Sequence, residues 1–359
     1  MGLFNRLGQK IASFFGEDTE LDPLTEKKLC LGDLLDPDYL SDLLPYRLYD
    51  AERKIYENKT SFGFVLEVIP LLGGSTEVQK ELSSLIREIA EEGANIQCLL
   101  LADSRIDRFL EFWAQPRNQL GGMFQKIASK KMSFFREEGL TGDFPPRIFR
   151  FFFSYSQPKP VEKEHPLFFD RLVEKKKKAI QTFSRLSQAF DLEPYQLIEL
   201  LAGMVNFDLS SASQNRRTWN RHTWISRQVC SPGSAIEVKK DGLYSRGKRE
   251  SLLRTYEAID FPGSWNMAYT GELIGDFLNA AYRIPAPFYL HYGMHFPAQQ
   301  RTETAFRTKR KMLEHQAKFS SIVRMFPDMP REREENLLVQ KYLLDGEKFV
   351  ETRLSCGLW

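Results

Sequence analysis

From Arg147 to Tyr155 the chain reads RIFRFFFSY, so that Phe149, Phe151, Phe153 and Tyr155 fall on every second residue. Side chains alternate between the two faces of an extended chain, whereas a helix would split these four between opposite sides. The segment therefore reads as a strand with one aromatic face. Such a strand does not fold alone; it needs a sheet and something packed over the phenylalanines. The same demand recurs upstream. In SFGFVLEVIP, Phe62, Phe64, Leu66 and Val68 share one face while Val65 and Ile69 take the other, which predicts a strand covered on both sides. Asn58 and Lys59 separate it from an earlier extended piece, giving a hairpin, and IQCLLLA at 96–102 predicts a further buried strand. With 28 phenylalanines in 359 residues, an aromatic-rich core follows.

Helical signals fall between these strands. Gly73 and Gly74 break the chain, Thr76 and Gln79 have capping-box spacing, and Val78, Leu82, Leu85, Ile86 and Ile89 follow at helical intervals. Ser104 and Asp107 are candidate caps of a second helix, with Ile106, Phe109, Leu110 and Trp113 on its apolar side and Pro116 at the end of its first section. Hairpin, helix, strand, helical stretch and strand in that order predict an α+β fold of mixed or antiparallel sheets with packed helices, split βαβ elements among them. Further along, helices are expected near 167–190, 194–204, 271–282, 300–325 and 331–346, with Met325, Phe326 and Pro327 ending the fourth. Extended patterns are expected at 235–260, 287–296 and in the closing FVETRLSCGLW. Lys175 to Lys178 read as a solvated helix face. SQPKPVEKEHP at 156–166 is the best internal linker.

These signals divide the chain into an amphipathic segment and linker (1–34), a first α+β subdomain (35–156), a helical region with a polar Arg/Trp-rich segment (157–232), a second α+β part (233–330) and a helical connector (331–359).

Several kinds of chemistry lack their sequence signals. A P-loop needs glycines, a lysine and a Ser/Thr in the pattern GxxxxGK[ST], which does not occur. GxSxG and HExxH are missing as well. His291 and His295 share a strand face roughly 13 Å apart, too far to ligate one metal, and His222 has no acidic neighbour in sequence to mark it as a base. Asp42, Asp50, Glu57 and Glu67 form no paired-carboxylate pattern and read as caps or ion pairs. Cys30, Cys98, Cys230 and Cys356 form no CxxC pair and fit a reducing cytosol. A net charge of +2 gives no global nucleic-acid signature, and no apolar run reaches 18 residues. The chain is thus expected to have no catalytic, cofactor or metal residues of its own.

Two segments remain as candidate contact surfaces. In MGLFNRLGQKIASFFGE, Leu3, Phe4, Leu7, Ile11, Phe14 and Phe15 recur at near-helical spacing beside Arg6 and Lys10, an amphipathic pattern with a basic edge suited to a membrane or partner, or to a packed terminal helix. A related string, FQKIASKKMSFF, recurs at 124–135. The second candidate interleaves Arg216, Arg217, Trp219, Arg221, Trp224 and Arg227. It suits single-stranded nucleic acid, a partner protein, or anchoring to its own domain.

Against this background the strings LLPYRLYD (43–50) and SFGFVLEVIP resemble segments of the TraC family, as do FFFSYSQPK (151–159), SWNMA (264–268) and LIGDFLNAAYRIPAPFYL (273–290). Their shared order, over roughly residues 35 to 325, is more specific than any one match. The resemblance implies the N-terminal region of a hexamer-forming ATPase of F-type type IV secretion, cytosolic and docked peripherally on the cytoplasmic face of the bacterial inner membrane. There it would serve conjugative pilus assembly and plasmid DNA transfer. It also implies inner-membrane components as partners, self-association in the intact protein, and ATP with magnesium only in a motor domain that follows. Residues 331–359 would then be a truncated approach to that motor, in a fragment whose role is docking and assembly.

Overall fold

The structure, a computed structural model, describes residues 40–71, 73–103, 106–141, 147–160, 165–206, 218–230, 235–246, 250–261, 284, 286–317, 329–344 and 347–359. The expected helix at 271–282, the end of the helix at Met325 to Pro327, and the amphipathic segment with Leu3, Phe4, Arg6, Leu7, Lys10, Ile11, Phe14 and Phe15 lie outside them. The chain divides into two compact units, Met1–Pro45 and Tyr46–Trp359. The described part of the first contains one short helix, α1 (Leu40–Leu43).

In the second unit the strands are β1 (Tyr46–Asp50), β2 (Ile55–Asn58), β3 (Ser61–Val68), β4 (Asn95–Asp103), β5 (Ile148–Pro158), β6 (Ala189–Asp191), β7 (Ala235–Lys239), β8 (Gly242–Arg246), β9 (Glu250–Glu257), β10 (Phe288–His295) and β11 (Glu351–Leu358). The helices are α2 (Thr76–Ile89), α3 (Asp107–Leu120), α4 (Gly122–Thr141), α5 (His165–Leu186), α6 (Pro194–Val205), α7 (Ile225–Val229), α8 (Gln299–Gln316) and α9 (Met329–Leu344). The strands form one sheet in the order β1-β2-β3-β5-β4-β10-β11-β9-β8-β7, with β6 beside β3. Every pairing among the described residues is antiparallel. The fold is thus α+β, with an antiparallel sheet and packed helices.

The register shows why the aromatic alternation matters. Phe64 lies opposite Tyr155, Tyr155 opposite Ile96, and Ile96 opposite Met294, one row across four strands. All four side chains are buried, and Leu85 and Ile89 of α2 with Leu172, Ala179 and Phe183 of α5 belong to the same core. Burying each large side chain contributes about 1.5–3 kcal/mol, which makes this row the main stabilising contact between sheet and helices. Two strands divide their length between partners. The edge of β3 away from β5 pairs with β2 at Phe62 and Gly63 and with β6 at Leu66 to Val68. Along β9, Glu250 to Leu253 pair with β8 and Arg254 to Glu257 with β11.

Local signals were overridden at five places. Strand β3 is deeply covered on one face only: Val65 is half-buried, Glu67 pairs with Arg150, and Ile69 lies past the strand end and is exposed. Helix α2 is capped by Ser75, whose Oγ accepts from Val78 N at 3.4 Å, so the cap lies one residue before Thr76. Asp107 is already helical, and Ile106 stands at the cap of α3 without a side-chain bond. Pro116 lies inside α3, which runs on to Leu120. A proline removes one backbone bond, and here the turn is made instead by Gly121 and Gly122, both with positive φ. Phe109, placed on the apolar side of that helix, is exposed.

The lysine run is the largest correction. Lys175 and Lys176 are each 6% exposed, while Lys177 and Lys178 face solvent. Lys175 Nζ lies 2.5 Å from Glu91 Oε1 and donates to Tyr155 Oη and Gln157 Oε1, both at 3.0 Å. Lys176 Nζ donates to the carbonyls of Arg53 (2.7 Å) and Lys54 (3.3 Å) and lies 3.4 Å from Asp191 Oδ1. An ammonium has three donors, and each of these finds three acceptors, which is what permits its burial.

Candidate interaction surface

The Arg/Trp segment is built onto the β1–β2 hairpin. Asp50 closes the turn by accepting from the backbone N–H groups of Glu52 and Arg53 and from the Arg53 guanidinium. Lys54 adopts φ 55° there. Lys176 grips the turn carbonyls from α5, and Tyr56 donates its hydroxyl to the Leu192 carbonyl at 2.7 Å. Burial, with Tyr49, Glu193 and Asp191 nearby, pushes the Tyr56 hydroxyl well above the usual phenol range. The hairpin is thereby fixed, and it turns Arg47 and Tyr49 toward residues 218–230.

That segment has its own internal fastening. Gln228 Nε2 donates to the carbonyls of Asn220 and Thr223, and Gln228 Oε1 accepts from Asn220 N, all at 2.8 Å. Ile225, Ser226 and Val229 are buried, and Asn206 Nδ2 ties the Val229 carbonyl to the end of α6 at 3.0 Å. Arg47 Nη1 donates to Ser226 Oγ at 3.1 Å.

The two tryptophans have different surroundings. Trp219 is half-buried and meets Tyr49 edge-on, with ring centroids 5.7 Å apart. Trp224 is 41% exposed, with the Arg47 guanidinium 4.5 Å and the Arg227 guanidinium 4.8 Å from its ring. Cations held over an indole are attracted by its quadrupole, at about 0.5–1 kcal/mol each where exposed. Arg221 is exposed and donates from Nε to His222 Nε2 at 3.2 Å, so His222 faces a cation. Arg216 and Arg217 lie outside the described residues. Sequence reading found the tryptophans and arginines of 219–227. It missed Arg47, Tyr49, Asn220 and Gln228, and of these only the Asn220-to-His222 turn had a local signal.

Among the described residues, other polar sites do not assemble comparable chemistry. His295 Nδ1 lies 2.9 Å from Asn95 Oδ1, and burial, with Arg353 nearby, lowers the His291 pKa. Among the described residues no three His, Cys, Asp or Glu side chains are grouped to hold a metal, and no helix is long and apolar enough to cross a membrane.

Comparison with known proteins adds the family. A family model described as "TraC protein" matches residues 40–359. The chain is also 24% identical over 338 residues to Protein TraC of Escherichia coli (strain K12), an alignment covering 89% of this chain and 38% of that protein. It therefore spans well under half the length of the curated relative it matches.

Proposed function

The chain belongs to the TraC family, and on that premise we propose that it is the N-terminal docking and assembly region of a type IV secretion ATPase, with no catalytic role of its own. It serves conjugative pilus assembly and DNA transfer by joining the motor to inner-membrane components of the secretion system on the cytoplasmic face. ATP and magnesium act in the motor of the intact protein, where self-association also belongs.

The observation that carries this reading is Trp224, 41% exposed and flanked by Arg47 and Arg227. Tryptophan and arginine dominate protein-binding hot spots, and a side chain already held in place loses little entropy on docking. The second reading, a single-stranded nucleic-acid module over 216–227, rests on the same residues. Base stacking needs open ring faces, and here Tyr49 and two guanidinium groups already crowd the indoles. The test is a pull-down of the chain against the membrane-embedded components of its own secretion system, with labelled single-stranded DNA in parallel. Saturable protein binding without salt-sensitive DNA binding supports docking; DNA binding alone overturns it.

A further inference from the structure

Helices α3 and α4 form a hairpin that turns its large apolar residues outward. Its most buried side chains are two alanines, Ala114 (1% exposed) and Ala128 (0%), and the helices pack chiefly on each other. Phe112, Leu120, Met123, Phe124, Ile127 and Phe134 are all exposed, Phe112 and Met123 by more than three quarters or to that mark (79% and 75%). At 3.6 residues per turn, Met123, Ile127, Lys130 and Phe134 share an arc of about 60° on α4. Phe109, Phe112, Pro116 and Leu120 share one of about 80° on α3. Leu120, Met123 and Phe124 gather at the tip, around the Gly121–Gly122 turn.

At the middle and tip of the hairpin the charge has one sign, with Glu111 before that stretch and Glu137 and Glu138 after it. From Phe112 to Arg136 the sequence contains Arg117, Lys126, Lys130, Lys131 and Arg136 and no Asp or Glu. Arg117 and Lys131 lie over the Trp113 ring, at 4.0 and 4.6 Å, and help to lock the helices together. Lys126 and Lys130 stand exposed beside the apolar stripe of α4. We infer that this hairpin docks on an anionic phospholipid bilayer, its phenylalanines and tip entering the acyl boundary and its lysines meeting lipid phosphates. Exposed aromatic and aliphatic side chains edged by cations match that surface in both polarity and charge. The related QKIAS and SFF strings at the N-terminus repeat the same chemistry in sequence, and durable peripheral binding takes two such signals. The inference rests on the reading above for the presence of a bilayer.

Vesicle flotation of the full chain tests it, comparing phosphatidylethanolamine vesicles that contain phosphatidylglycerol with ones that contain phosphatidylcholine. Expected is flotation with the anionic vesicles, weakened by salt, and reduced about tenfold or more by Lys126→Gln with Lys130→Gln or by Phe124→Ser with Ile127→Ser. Because all four side chains are exposed, the melting temperature should not move. Three results overturn it: no anionic preference, variants that float like wild type, or flotation lost only when Phe14 and Phe15 are changed. The pull-down uses no vesicles, so failure here and failure of the docking reading are distinguishable.

Discussion

Lys175 Nζ of α5 and Glu91 Oε1, in the turn after α2, meet at 2.5 Å, with the lysine 8% and the glutamate 47% exposed at their side chains. The pair is asymmetric. Burial opposes the Glu91 charge, but hydrogen bonds from Lys175 and Gln157 prevail and hold its carboxyl below the ordinary range. Burial depresses the Lys175 pKa, and Glu91 only partly restores it. Three acceptors around Nζ nevertheless favour the ammonium at neutral pH.

Lys175→Ala should therefore destabilise the fold by about 2–3 kcal/mol, since it strips the partner from Tyr155 and Gln157. Lys177→Ala, two residues on and exposed, should stay within about 0.5 kcal/mol of wild type. Urea unfolding of the two variants separates a structural staple from a solvated charge run; equal effects would contradict the staple.

The pH dependence follows from the signs. Glu91 has a lowered pKa in the folded state, so its contribution is present above the ordinary glutamate range and is lost as pH falls through the lowered value. Lys175 is also lowered, so the unfolded chain binds more protons below the ordinary lysine range, and stability rises as pH climbs through that window. In thermal melts, the gap between wild type and Glu91→Gln should narrow as the solution is acidified below the ordinary glutamate range. A gap that stays constant would show that Glu91 does not titrate with folding.

Phe64 is 1% exposed, and Phe64→Ala should cost about 3–5 kcal/mol. Phe151 lies opposite Val68 at the half-buried edge of the same core, and its replacement by alanine should cost less, about 1–3 kcal/mol. Reversal of that order in denaturant unfolding would put the centre of the core elsewhere.

Gly63 faces Ser156 in the register of β3 and β5, and a Cβ there would run into the Tyr155 carbonyl. Backbone does not yield as a flexible side chain does. Gly63→Ala should lose at least about 2 kcal/mol, and an unchanged melting temperature would show that the strands separate without cost.

Period-two alternation made the central strands legible, because Phe62, Phe64, Leu66 and Val68 announce a buried face within one short segment. Sheet order was not legible, since β10 must travel from position 288 to pair with β4. The lysine run was misread for a related reason. Its acceptors Glu91, Gln157, Arg53 and Asp191 come from other elements, and nothing within Lys175 to Lys178 points to them. The same limit governed the interaction surface: tryptophans and arginines between 219 and 227 stood out, but Arg47 reaches Ser226 from 179 residues away. Capping signals misplaced α2 by only one residue, because Ser75 and Thr76 offer equivalent hydroxyls.

Crosslinking from position 224 tests the docking claim most directly. A photoreactive residue in place of Trp224, in the chain assembled with the membrane-embedded components of its own secretion system and with single-stranded DNA present, should give a discrete crosslink to one of those components. Trp224→Ala should weaken the same association by about thirtyfold, the loss expected of a hot-spot side chain, while loss of the Arg47 and Arg227 contacts lowers the melting temperature by only a few degrees. Crosslinks to DNA alone, or an association indifferent to Trp224, would contradict docking through this surface.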